Sequence, residues 1–192
     1  MDIDAFYNNE FSEHADVVQK TRDACAASFA ILLERAAESV RHGGKIIFFG
    51  NGGSAADCQH LATELTIRYK TDRTPIAAIA LTTDSSALTA GGNDLGFENI
   101  FSRQIEALGK PGDVAIGIST SGNSENVIRA LNVAKSLDIV PAALGGKDGG
   151  KLVGIADPFL IVPSDTTARI QEMHIMLGQM LCGALEIELG LV

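Results

Sequence analysis

The stretch Lys45–Leu65 reads KIIFFGNGGSAADCQHLATEL and joins an apolar run to a glycine-rich turn and a helical segment. The run Lys45–Phe49 is almost entirely apolar and is followed by a glycine, as expected for a buried strand of a parallel sheet. From Ala55 onward the apolar residues recur with helical spacing. This strand–turn–helix unit predicts an α/β fold, with the turn at the carboxyl end of a strand, where ligands bind in such folds.

Four more apolar runs follow along the chain, separated by segments of helical or loop character. The predicted strands after the first are Ile76–Leu81, Val114–Ile118, Val140–Leu144 and Pro158–Val162. The predicted helices are Ala55–Tyr69, Phe97–Leu108, Glu125–Leu137 and Thr166–Leu189. The alternation predicts a five-stranded parallel sheet with helices on both faces.

Residues 4–41 precede this alternation and contain neither glycine nor proline. Their helical periodicity predicts two leading helices, which end at His42-Gly43-Gly44. Together with the last helix they could form a bundle for self-association. We therefore predict one domain over residues 1–192, with oligomerisation helices in residues 1–42 and an α/β core in residues 43–192.

Composition excludes several classes of protein. The net charge of −9 argues against a nucleic-acid partner, because phosphate backbones are bound with excess lysine and arginine. No apolar run approaches the roughly 20 residues of a membrane span, so no membrane partner is expected. Cys25, Cys58 and Cys182 form no CxxC pair and predict free thiols in a reducing compartment. These features together predict a cytoplasmic protein.

A second polar loop follows the predicted strand Val114–Ile118. It reads STSGNS over Ser119–Ser124, so it carries four hydroxyl groups immediately before a helix. Hydroxyls and the first amides of a helix can bind phosphate oxygens, and the helix dipole favours their negative charge. An ordinary helix cap needs only one such side chain. We therefore favour a phosphate site, and the lack of lysine and arginine in the loop suits a single phosphate monoester.

The first loop, Gly50–Ser54, matches the dinucleotide pattern GxGxxA only loosely. That pattern also requires an acidic residue at the end of the second strand, about 20 residues further on. Asp72 precedes the strand and Asp84 lies well beyond that distance. No GK[ST] sequence is present, so a Walker-type phosphate loop is excluded. Dinucleotide binding is thus the weaker alternative.

His60 and Glu64 are four residues apart on the helix after the first loop, and so share one face of it. This spacing suits half of a metal site or a proton-transfer pair; a solvated glutamate beside a hydrogen-bonded histidine is the plainer alternative. On the last predicted helix, four residues fall on or near one side: Gln171, His174, Gly178 and Gln179. Buried polar residues there need partners, which a site or the core could supply.

The motifs together resemble a known family. FFGNGGSAADCQHLATEL, GGNDLGFENIFSRQI, GISTSGNSENVIRAL and ARIQEMH occur in this order, and their order and spacing are similar to those of the phosphoheptose isomerases in the sugar isomerase (SIS) domain family. The resemblance runs over nearly the whole chain. It implies a three-layer α/β sandwich, a homotetramer with sites at subunit contacts, and conversion of sedoheptulose 7-phosphate to D-glycero-D-manno-heptose 7-phosphate.

The resemblance also implies roles for individual residues. Glu64 matches the acid/base glutamate of the family and Gln171 its substrate- and metal-contacting glutamine. The implied zinc ligands are His60, Glu64, Gln171 and the residue eight positions after that glutamine. The implied substrate contacts are Asn51, Gly52, Gly53, Asn93, Asp94, Ser119, Thr120, Ser121 and Ser124, to which we add Ser54 from the first loop.

One position departs from the family pattern. Gln179 stands where the family has a histidine that serves as zinc ligand and proton-transfer partner. Glutamine can offer an oxygen to a metal but does not titrate near neutrality. We therefore assign the carbon-bound proton to Glu64. The proton between the substrate oxygens then falls to His60, a metal-bound water or His174, in that order.

A non-catalytic role on the same fold is the alternative. The family includes relatives that bind the replication initiator DnaA and sugar-phosphate-sensing domains of regulators. The missing histidine favours this alternative slightly. The absence of a basic helix-turn-helix from the sequence argues against a regulator.

Overall fold

The computed structural model describes all of residues 1–192, and its centre is a five-stranded sheet in which every pairing is parallel. The strand order is β2-β1-β3-β4-β5. The strands are β1 (Ile46–Gly50), β2 (Ala78–Ala80), β3 (Val114–Ser119), β4 (Val140–Gly146) and β5 (Phe159–Val162). All five predicted strands are thus present, each within a few residues of its expected bounds.

Six α-helices cover the two faces of this sheet. They are α1 (Ile3–Arg41), α2 (Gly53–Thr66), α3 (Ser85–Asp94), α4 (Ser102–Leu108), α5 (Glu125–Ser136) and α6 (Thr167–Glu188). One apolar core joins α1, α2 and α6 to one face, and a second joins α4 and α5 to the other. The predicted three-layer architecture is confirmed.

Strand β1 shows why its sequence is apolar throughout. Ile46 and Phe48 belong to the core beneath α1, α2 and α6, whereas Ile47 and Phe49 belong to the core beneath α4 and α5. Successive side chains of a strand point to opposite faces, so a strand covered on both faces has no position for a polar residue.

The prediction of two leading helices is wrong, because α1 is one continuous helix of 39 residues. The Asp2 side chain accepts a hydrogen bond from the Ala5 amide at 3.1 Å and caps its start. Without glycine or proline nothing interrupts the backbone hydrogen bonds until Gly43, whose φ is +79°. The helix packs against α6 and β5, and its buried residues lie between Val17 and Ser39.

Helix α3 was not predicted, and the helix expected over Phe97–Leu108 is a short 3₁₀ turn followed by α4. Asp84 caps α3 by accepting from the Ala87 amide at 2.9 Å. No residue of α3 is buried and its sequence contains Gly91-Gly92, so it lacks the apolar periodicity that marks a helix in sequence. None of the six helices combines the length and apolarity that a membrane span requires.

Asp113 holds together the edge of the sheet where β1 and β3 begin. Its carboxylate is 1% exposed and accepts from the Lys45 amide at 2.9 Å, from Lys45 Nζ at 2.6 Å and from the Lys110 amide at 2.8 Å. Replacing it by alanine leaves these donors without an acceptor. We expect Asp113→Ala to lower the free energy of unfolding by about 2–4 kcal/mol.

Urea unfolding followed by circular dichroism measures this loss. Lys110→Ala is the matched control, since it keeps the backbone amide that contacts Asp113 and should be nearly neutral. Equal stability of Asp113→Ala and the parent chain would contradict this account of the edge.

Candidate active site

The two polar loops lie side by side because β1 and β3 are neighbours in the sheet. Gly50 at the end of β1 pairs with Ile118 near the end of β3. The Asn51 and Asn126 side chains exchange two hydrogen bonds, each 2.9 Å long. Asn126 is buried at the start of α5, so this amide pair fastens the first loop to the helix after the second. The sequence did not single out Asn126.

The first loop is a tight turn that packs against α6. Gly52 has a φ of +57°, a conformation that side chains disfavour. A Cβ on Gly53 would lie 2.9 Å from Nε2 of Gln171, so the α6 glutamine rests directly on the turn. Ser54 is buried beneath Gly50. Gly52 and Gly53 remain exposed, so a ligand can reach their backbone.

The second loop presents hydroxyls around the start of α5. Ser119 Oγ and Ser124 Oγ are 3.1 Å apart, and Thr120 and Ser121 are half-buried beside them. Ser124 is the N-cap residue, yet its side chain makes no capping hydrogen bond. The first amides of a helix have no partner within the helix, so these hydroxyls and amides are available to an anion. This geometry agrees with the predicted phosphate site.

His60 and Glu64 of α2 both contact Gln179 of α6. Nε2 of His60 lies 2.9 Å from Oε1 of Glu64. The Gln179 amide nitrogen contacts Nε2 of His60 and donates to Oε1 of Glu64 at 3.4 Å. Glu64 has a side chain that is 20% exposed, so it is partly shielded from water but open to a ligand.

Helices α2 and α6 approach closely at Gly178, and Gly183 of α6 lies against Tyr69 in the segment after α2. A Cβ on Gly178 would lie 2.5 Å from Cδ1 of Leu61, and one on Gly183 would lie 2.8 Å from the Tyr69 ring. A larger residue at either glycine would collide with the facing side chain unless the packed segments moved apart. This approach brings Gln179 within reach of Glu64.

Comparisons with known proteins agree with this architecture. Residues 7–146 match the family model described as SIS domain. The chain belongs to the SIS domain family. It is 57% identical over 186 residues to a protein named phosphoheptose isomerase from Paramagnetospirillum magneticum, with 97% of each chain covered.

Two solved structures support the same assignment. Phosphoheptose isomerase GmhA from Neisseria gonorrhoeae has 43% identity and a TM-score of 0.90, covering 96% of this chain and 99% of that one. A phosphoheptose isomerase from Francisella tularensis has 34% identity and a TM-score of 0.93, covering 97% and 100%. The structural likeness extends over nearly the whole chain, whereas the family model ends at residue 146, so the single domain over residues 1–192 stays a prediction.

Asp57 is a half-buried carboxylate on α2 beside the candidate site, which the sequence analysis did not single out. It shares a face of α2 with Gly53, His60 and Glu64, which follow one another at helical spacing. Burial raises the pKa of its carboxyl above the ordinary value, and the charge of His60 opposes the shift. The spacing of four and three residues was the available signal in the sequence.

His174 does not belong to the site, which removes the third candidate for the proton between the substrate oxygens. It is fully buried, and its Nε2 donates to the Gly145 carbonyl at 2.9 Å. Burial lowers its pKa to about 4, and the bond to Gly145 only partly opposes this. The side chain is a neutral part of the contact between α6 and β4.

Asn93 and Asp94 lie apart from the loops within this chain. Both are exposed at the end of α3, where the Asn93 amide donates to the Asp94 carboxylate at 2.7 Å. Neither makes a hydrogen bond to the two loops or to α2. Their predicted contact with substrate stays a prediction.

The side chains present fit a zinc ion poorly. Catalytic zinc is held by three protein ligands drawn from histidine, cysteine and carboxylates, and no group of three such side chains is assembled anywhere in the structure. Only His60 and Glu64 qualify here, and they already contact each other. The Gln179 amide would have to turn its oxygen inward. The predicted zinc site therefore stays a prediction.

The buried His174 makes stability depend on pH. Its pKa is about 6.5 when unfolded and about 4 when folded, so the unfolded chain binds the extra proton between these values. Its contribution to stability is complete above pH 6.5 and is lost as the pH falls towards 4. From pH 7.5 to pH 5 we expect a loss on the order of 2 kcal/mol from this residue.

Urea unfolding of the parent chain and of His174→Gln at the two pH values measures this term as a difference. The variant should lose less stability than the parent on acidification. Parallel losses in the two proteins would show that His174 is not the group responsible.

Proposed function

We propose that this chain is a phosphoheptose isomerase, which converts sedoheptulose 7-phosphate to D-glycero-D-manno-heptose 7-phosphate on the route to ADP-heptose and lipopolysaccharide-core precursors. The observation that carries the proposal is that two polar segments lie at the carboxyl ends of the neighbouring strands β1 and β3. A hydroxyl-rich loop lies at the end of β3, and a histidine–carboxylate pair lies on the helix after β1. The hydroxyl-rich loop can bind a phosphate, and the histidine–carboxylate pair can transfer protons.

An aldose–ketose isomerase moves one proton between C1 and C2 and a second between their oxygens. Glu64 is suited to the first transfer, because its carboxylate is partly shielded and is held by two neighbours. His60 is suited to the second transfer, since it contacts Glu64 directly and one imidazole can both accept and donate a proton. With His174 buried, His60 is the one histidine left for this role.

The phosphate end needs no cation in this arrangement. The hydroxyls of Ser119 and Ser124 and the first amides of α5 supply hydrogen bonds, and the helix dipole favours the charge. The amide pair of Asn51 and Asn126 then sets the distance between this anchor and the turn that faces the sugar.

We also propose self-association into a homotetramer and a cytoplasmic location. An apolar cavity of about 260 Å³ lies between α1 and α6, lined by Val18, Cys25, Phe29, Met173, Met176 and Met180. Ile3, Phe6, Tyr7 and Phe11 are exposed on the first turns of α1. Exposed apolar surface of this kind marks interaction sites. The cytoplasmic location is supported by three buried free thiols.

The proposal is tested by incubating the purified chain with sedoheptulose 7-phosphate and detecting the heptose 7-phosphate product, with and without added zinc. Product formation is expected. No product under either condition would favour the non-catalytic alternative, a protein that binds DnaA or senses a sugar phosphate.

Glu64→Gln keeps the size and polarity of the side chain but removes its ability to accept a proton. We expect turnover to fall by at least about 10³-fold, as for loss of a general base, while sugar-phosphate binding measured by calorimetry stays close to that of the parent. Glu34→Gln, the same change at an exposed position of α1, is the control and should remain active. Retained activity in Glu64→Gln would remove Glu64 from the base role.

Gln179→His would add the third strong ligand beside His60 and Glu64. We expect it to bind zinc about 10-fold or more tightly than the parent chain, because a catalytic zinc site uses three such ligands. Equilibrium dialysis with zinc alone measures this without an activity assay. Unchanged zinc binding would mean that position 179 does not limit the metal site.

A further inference from the structure

Arg73 and Glu186 form a buried ion pair close to the candidate site. Arg73 lies between α2 and β2, and Glu186 lies on α6. Nε of Arg73 is 2.8 Å from Oε1 of Glu186, and the two side chains are only 1% and 3% exposed. Charges this deeply buried are costly unless further hydrogen bonds satisfy them.

Two further hydrogen bonds of Arg73 go to the end of helix α2, and a third goes to the neighbouring Thr74 carbonyl at 3.3 Å. Nη2 donates to the backbone carbonyl of Glu64 at 2.8 Å, and Nη1 donates to that of Leu65 at 2.7 Å. The last carbonyls of a helix have no partner within it, and α2 has no basic residue in its last turn. Arg73 therefore caps α2 from outside, and one carbonyl that it holds belongs to Glu64.

Glu186 connects this cap to the residue that contacts the Glu64 carboxylate. It follows Gln179 by seven residues on α6, which is about two helical turns and the same face. It also accepts a hydrogen bond from the Tyr69 amide at 3.2 Å. Glu64 is thus held twice by α6, at its backbone through Arg73 and Glu186 and at its carboxylate through Gln179.

We propose that Arg73 and Glu186 are positioning residues. They fix where Glu64 lies, in the direction of the α2 axis, relative to Gln179 and to the bound sugar. This inference rests on the proposed isomerase function, because it assigns the pair to the placement of the Glu64 carboxylate. The pair does not touch substrate and transfers no proton. It acts by holding the last turn of α2 against α6.

The chemistry of the pair separates positioning from mere stability. Two apolar side chains of similar volume can replace a buried ion pair with little loss of stability, whereas removal of one partner is strongly destabilising. An apolar side chain cannot donate a hydrogen bond to the Glu64 carbonyl. A double apolar variant therefore keeps the packing but loses the cap on α2, together with the hydrogen bond from the Tyr69 amide to Glu186.

The test compares the parent chain with Arg73→Met and with Arg73→Met/Glu186→Leu. We expect the single variant to melt at a lower temperature and the double variant to recover most of that loss. In the double variant kcat should fall about 10- to 100-fold, the cost of a misplaced catalytic group. KM should stay within about twofold, because the phosphate loop and α5 are unchanged.

Hydrogen exchange supplies a readout that does not depend on activity. In the double variant the amides of residues 65–69 should exchange faster than in the parent, even where the melting temperatures agree. Arg73→Lys is the second variant, since one ammonium cannot reach Glu186 and both carbonyls together. It should keep most of the stability and show a partial loss of kcat.

The matched control is Arg41→Met/Glu188→Leu. This pair also joins an arginine to α6, with Arg41 donating to the Glu188 side chain at 2.7 Å, but it is half-exposed and does not contact α2. Its kcat and its exchange at residues 65–69 should match the parent. Parent-like kcat and exchange in the Arg73/Glu186 double variant would overturn the proposal. An inactive parent chain would instead overturn the isomerase function, and the exchange result would still decide the positioning.

Discussion

The close packing of α2 against α6 is the contact on which the candidate site depends. Gly178 presents bare backbone to Leu61, so the two helices lie nearer there than a larger residue would permit. At this separation Gln179 reaches His60 and Glu64, and Gln171 reaches the turn at Gly53. Polar residues of α6 therefore face polar residues of α2 across a short gap, while apolar residues beside them close the core.

The sheet contributes a second, independent constraint. Because β1 and β3 are adjacent and parallel, the loops at their carboxyl ends meet at one edge. The amide pair of Asn51 and Asn126 converts this proximity into a fixed distance. A chain with a net charge of −9 can hold a phosphate there because the charge is met by oriented backbone amides and hydroxyls, which act at short range.

Gln179 changes what the helix pair can do. A titratable side chain at this position could bind a metal and transfer a proton, whereas an amide can offer its oxygen to a metal but cannot transfer a proton. In this chain the amide contacts both His60 and Glu64. In the proposed reaction both proton transfers then fall to His60 and Glu64, so the rate depends on how these two side chains are placed. The buried pair of Arg73 and Glu186 lies at the C-terminal end of the same helix, where Arg73 binds the Glu64 carbonyl.

The sequence by itself determined the features that depend on local periodicity. The five apolar runs became the five strands, the polar loops after β1 and β3 were located correctly, and His60 and Glu64 shared a face because helical spacing requires it. The polar spacing on α6 also singled out Gln171 and Gln179, although it wrongly grouped His174 with them.

Only the tertiary structure decided the rest. A lone glycine in α6 does not reveal which side chain it will meet, and Asn126, Arg73 and Glu186 find their partners in segments far along the chain. The continuity of α1 follows from the core it covers, and α3 has no buried residue to mark it. His174 was predicted near the site but is buried under β4, since which neighbour a helix face meets is set by packing between elements and not by spacing within one.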